Sequence, residues 1–149
     1  MEITELTKTN NTMRVIHIIK EISCIPCREL AGVRTFGPGM AILPGFVDFA
    51  KINIFGHAKL EVNDSFEDKI RKYETQLTFR SACFKHEADE PMAYLATSPE
   101  GESWLIGMQH PPYPVATFSE IHPDEPAASS LTTFKIVWKS DHRAAKIAN

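Results

Sequence analysis

No stretch of this chain approaches the roughly 18 consecutive apolar residues that a membrane-spanning helix requires. The opening, Met1-Glu2-Ile3-Thr4-Glu5, lacks the basic-then-apolar layout of a secretory signal. A chain that is cytosolic when made is expected, with no membrane partner. An excess of one charge is also missing, since 16 basic and 19 acidic residues leave a net charge of −3. Without a basic stripe, nucleic acid is not an expected partner. Cysteine is scarce, and three is an odd number, which argues against a disulfide framework. None is needed: a chain of 149 residues fits one domain, and such a domain buries roughly 68–70% of its unfolded surface.

Catalytic signatures are equally sparse. There is no Gly-x-Ser-x-Gly elbow, so the usual presentation of a serine nucleophile is missing. Phe36-Gly37-Pro38-Gly39 is not a phosphate loop, because no Lys-Ser/Thr and no helix start follow it. The six histidines, His17, His57, His86, His110, His122 and His142, show no metal-binding spacing. The acidic groups Glu67-Asp68 and Glu87, Asp89, Glu90 fall in polar stretches, where solvated surface explains them. No cofactor is expected, and no internal repeat is present.

What is present is alternation. Tyr73, Thr75, Leu77 and Phe79 fall on one face of an extended chain, and Glu74, Gln76, Thr78 and Arg80 on the other. Ala58, Leu60 and Val62 alternate with His57, Lys59, Glu61 and Asn63, and Phe134, Ile136 and Trp138 with Thr133, Lys135 and Lys139. A period of two is the mark of a half-buried strand. The expected class is all-β and mainly antiparallel, as a sandwich or partly closed barrel with long Gly/Pro-rich loops.

Residues 1–12 read as a flexible N-terminal tail, 13–140 as one β domain, and 141–149 as a C-terminal tail, loose or a short helix. Met13 to Ile22 reads as an isoleucine-rich strand, although Val15, Ile18, Ile19 and Ile22 also fit a helical stripe. Seven Pro and Gly residues make 24–45 a long ordered loop or a set of short irregular strands, with room for one helical turn at Arg28-Glu29-Leu30-Ala31. Phe46–Ile54 reads as a strand, Asp64–Asp68 as a polar connection and Ile70–Ser81 as a strand. Pro91–Thr97 and Ser103–Met108 form a hairpin around the turn Ser98-Pro99-Glu100-Gly101. Pro111–Pro114 is extended, Val115–Glu120 a strand, Ile121–Ser130 a loop and Leu131–Lys139 the closing strand.

Cys24-Ile25-Pro26-Cys27 offers a redox reading, which needs a helix N-terminus to stabilise a thiolate. It equally offers half of a zinc site, for which Cys83 and His86 are the other candidate ligands. Ordinary loop or core cysteines are the plainer account. Tyr113 and the Trp104 and Trp138 strands are candidates to line a binding groove, with Pro112 and Phe36 as further candidates for binding or a subunit contact. Predicted edge strands must be covered or used, and pairing between copies is one use.

The order of features extends the inference. An Ile-rich strand ends in Ser-Cys-Ile-Pro; then come FGHAKLEVNDSFEDKIRKYETQLTFRS, AYLATSPEGESWLIGM and LTTFKIVWKS. Over about residues 13–140 this resembles small all-β proteins encoded in prophage-like clusters of gut bacteria, taken to be tail or neck components. The resemblance implies a non-enzymatic structural protein, made in the bacterial cytoplasm and carried in a phage-like particle. Its partners would be copies of itself, as a homo-oligomer or ring, and other phage structural proteins, met through edge strands and the loops 24–45 and 109–130. It implies no catalytic residue. The alternatives from the residues themselves are a ligand- or peptide-binding β module near Trp104 and Tyr113, and a thiol-redox protein using Cys24 and Cys27.

Overall fold

The three alternating segments turn out to be neighbours in one sheet. Strands β7 (Ala58–Glu67), β8 (Ile70–Ser81) and β12 (Thr132–Ser140) lie side by side and antiparallel. Leu60, Leu77 and Ile136 stand in register across them, and all three are fully buried. Lys59, Thr78 and Lys135 form the matching row on the wet face. A computed structural model describes residues 2–7, 12–36, 40–43, 48–67, 69–82, 84, 90–119 and 132–147. Among these, β1 (Glu2–Thr7), β2 (Thr12–Ile19) and β11 (Val115–Ser119) complete this first sheet, in the order β1-β2-β7-β8-β12-β11.

The second sheet holds β3 (Glu21–Pro26), β4 (Arg34–Phe36), β5 (Met40–Ile42) and β6 (Ala50–Ile52). It also holds β9 (Met92–Thr97), β10 (Ser103–Ile106) and β13 (Ala145–Ile147). Its order is β4-β5-β13-β10-β9-β3-β6, antiparallel except for β13 against β5. The two sheets pack face to face over a core that includes Ile19, Ile22, Leu77, Trp104, Ile106 and Ile136. Neither closes on itself among the described residues, so the architecture is a sandwich rather than a barrel. A smaller cluster, Ile25, Cys27, Leu30, Ala93 and Leu105, covers the opposite face of the second sheet.

Several segments differ from the sequence expectation. The isoleucine-rich segment is neither one strand nor a helix. It crosses between sheets at Lys20, whose amide donates to Thr97 O at 2.8 Å. Ile19 and Ile22 thereby enter one core from opposite sheets, which explains why isoleucines crowd there. Residues 1–12 are not simply a tail, because Glu2–Thr7 pairs with β2 along its full length. The 141–149 segment likewise contributes β13, held between β10 and β5. The 24–45 segment instead follows the expectation, with a 3-10 helix at Cys27–Leu30 and two three-residue strands among its described residues. Phe46–Ile54 shrinks to Ala50–Ile52. Asp64–Asp68 is mostly strand, since β7 runs on to Glu67, opposite Ile70, with the chain reversing at Lys69 (φ 65°). Cross-strand bonding makes a polar strand viable there: Arg71 donates to Asp64 at 2.6 Å and lies 5.9 Å from the Phe66 ring centroid. The Ser98–Gly101 turn forms as expected, with Gly101 N donating to Ser98 O at 3.0 Å. Ile121–Ser130 lies outside the described residues. No helix among them is long and apolar enough to cross a membrane.

Candidate functional site

The second sheet separates the residues that sequence reasoning had grouped. Trp104 faces the inter-sheet core, 6% exposed, with its ring 4.2 Å from that of His17. Tyr113 packs against the cluster on the sheet's other face, and its hydroxyl donates to Gln109 O at 3.4 Å. Trp104 and Tyr113 therefore belong to clusters on opposite faces of the second sheet. Pro112 is exposed, but its carbonyl accepts the indole N–H of Trp138 at 2.9 Å. Phe36 ends β4, in register with Met40.

The cysteines of Cys-x-x-Cys are split in the same way. Cys24 in β3 borders the main core, and Cys27, in the 3-10 helix that follows, is buried in the outer cluster, so the two lie on opposite faces of the second sheet. Burial raises both thiol pKa values, and for Cys27 the nearby Glu90 carboxylate adds to the effect, taking it to about 11. The same burial raises Tyr94 next to them. This is the reverse of an activated thiolate. The zinc partners Cys83 and His86 lie outside the described residues, and no group of three or more metal-ligating side chains forms among the rest.

Two consequences follow for Cys27. With its pKa pushed up from 9.0 to about 11, its alkylation by iodoacetamide at pH 8 is expected to be about 100-fold slower in the native protein than in urea. Peptide mapping by mass spectrometry reads this directly, and equal rates would show an accessible thiolate. Because the folded value lies above the ordinary 9.0, the buried thiol supports the fold below about pH 9, and that support fades as pH rises towards about 11.

The structure instead assembles a cleft of about 600 Å³ at one end of the sandwich. Leu30 and Val33 come from the 3-10 helix and the turn after it, Leu105 from β10, and Trp138 from β12. Beyond β10 the chain turns at Gly107 (φ 117°), carrying Met108, Gln109 and His110 to the rim. Asp141, His142 and Arg143 complete the lining from the connection between β12 and β13, where Ser140 Oγ accepts the His142 amide at 3.1 Å. Tyr73 and Asp141 also line a neighbouring polar groove of about 690 Å³, with Asp64, Lys72, Glu74 and Lys139. Of the described residues proposed from sequence, Trp138 lines the cleft and Pro112 borders the polar groove.

Sequence reasoning missed this site because its walls come from positions 30 to 145 and no local motif marks it. The 141–143 triplet was the one available signal, a cluster of polar side chains directly after a buried tryptophan strand. No family model matches the chain, no curated protein matches it, and no solved structure matches it.

Proposed function

We propose that this protein is a non-catalytic assembly component whose first sheet is extended onto another copy through the edge strand β11. One observation carries this: among the described residues, β11 is a sheet edge without the usual protections. Its sequence, Val115-Ala-Thr-Phe-Ser119, contains no charge and no proline, and Val115 and Phe118 are 59% and 48% exposed. The other three edges carry the usual protections. β1 contains Glu2 and Glu5. β4 is three residues long and contains Arg34. β6 is equally short, and its Lys51 lies 3.9 Å from Glu21. Apolar exposure on a sheet edge favours strand addition. The setting, a phage-like tail or neck, rests on the sequence resemblance. The burial that raises the Cys24 and Cys27 thiol pKa values weighs against the thiol-redox alternative.

Light-scattering mass across a concentration series tests this. The wild-type chain is expected to self-associate, and Thr117→Lys, at the exposed centre of β11, to weaken that by at least about tenfold while keeping its melting temperature. A monomer at every concentration, or unchanged association in the variant, would remove β11 as the contact. Ligand binding is the second possibility, favoured specifically by the cleft beside Trp138.

A further inference from the structure

The cleft beside Trp138 joins an apolar wall to an uncommitted cation. Leu30, Leu105 and Trp138 are buried residues that nonetheless line it, and Val33 and Met108 extend the same apolar surface. Its volume of about 600 Å³ falls in the range of about 300–1,000 Å³ typical of small-ligand sites. Arg143 is half-buried in the lining. Among the described residues it makes no ion pair and no hydrogen bond, whereas Arg28, Arg71 and Lys146 each hold a carboxylate. Asp64 borders a small void together with Arg143 but is held by Arg71 at 2.6 Å. Asp141 is exposed, belongs equally to the polar groove alongside, and forms no ion pair with Arg143.

A guanidinium is charged at any working pH and presents a planar fork of donors that matches a carboxylate or phosphate. Partial burial makes such a pairing stronger than it would be in open water. His110 and His142, exposed on the rim, add further imidazole nitrogens near the same opening. An apolar wall alone would suit any greasy molecule, and an arginine alone any anion. Their adjacency selects ligands having both parts.

We propose that this cleft binds a small amphipathic anion, with its acidic head on Arg143 and its apolar body against Leu30, Val33, Leu105, Met108 and Trp138. The site is independent of β11, so self-association and ligand binding can fail separately.

The test is a titration of the ¹⁵N-labelled full chain with octanoate, octyl phosphate and octylammonium at matched ionic strength. The amide signals of Gly107, Met108 and His142 are followed. The anions are expected to shift these amides saturably, with octylammonium at least about tenfold weaker. A preference for octanoate assigns a carboxylate ligand, and a preference for octyl phosphate a phosphate ester. Arg143→Gln is expected to weaken the anions by about tenfold or more, with Arg143→Lys, which keeps the charge, falling in between. The proposal is overturned if no probe shifts these amides or if octylammonium binds as well as the anions. It is equally overturned if a folded Arg143→Gln protein keeps full anion affinity. Should Arg143→Gln not fold, the comparison of probe charges on the wild-type chain still decides.

Discussion

Replacing Trp138 by alanine is expected to cost about 3–5 kcal/mol, the range for removing a large aromatic from a packed core. The side chain is 2% exposed and stands in the inter-sheet core in register with Thr75. It also ties the proline segment down, since its indole N–H donates to Pro112 O at 2.9 Å. Truncation removes both the volume and the tether. Trp138→Phe largely separates them, because it keeps an aromatic ring in the core but loses the donor and the smaller part of the ring volume. A cost of about 0.5–1.5 kcal/mol, that of a net hydrogen bond, is expected for it. Urea unfolding followed by Trp104 fluorescence gives both values, provided the slope with denaturant is unchanged. If the alanine variant loses less than about 1 kcal/mol, a value outside that range, Trp138 is not a structural element. The cleft wall would then have to be held by something else.

The legible part of this fold is the part with one wet face. β7, β8 and β12 announce themselves by alternation because Lys59, Glu61, Gln76 and Lys135 meet solvent while Leu60, Leu77 and Ile136 meet the core. The second sheet is covered on both faces, and there the period fades. Trp104, Leu105 and Ile106 are all buried, although they alternate between the two clusters. Short strands between Gly and Pro are hidden for a different reason. β5 is three residues long, and one of its partners is β13, about a hundred residues further along the chain. Nothing local in Met40–Ile42 specifies that pairing. The polar run Asp64–Glu67 misleads in the opposite sense, since its strand character comes from Arg71 across the hairpin rather than from its own composition. The cleft combines both difficulties: apolar walls that read as core, and an arginine that reads as tail.

The second large effect is expected at Gly107, where Gly107→Ala should destabilise the domain by about 2–6 kcal/mol, from backbone strain of about 1–3 and overpacking of about 1–3. Its φ of 117° is a conformation that residues with a Cβ rarely adopt. A Cβ there would also lie 2.9 Å from Ala93 Cβ, 3.2 Å from Ala93 Cα and 3.1 Å from Pro114 Cγ. Ala93 is fully buried in the middle of the second sheet and cannot withdraw without disturbing β9. Gly101 supplies the control, because its φ of 91° is similarly unfavourable for alanine but nothing lies within 4 Å of a Cβ built there. Gly101→Ala therefore pays for conformation alone, and the excess of Gly107→Ala over it measures the clash. Equal losses at the two sites would mean that the chain between β10 and β11 can slide away from Ala93. The rim residues Met108, Gln109 and His110 would then be held in place by something other than packing at Gly107.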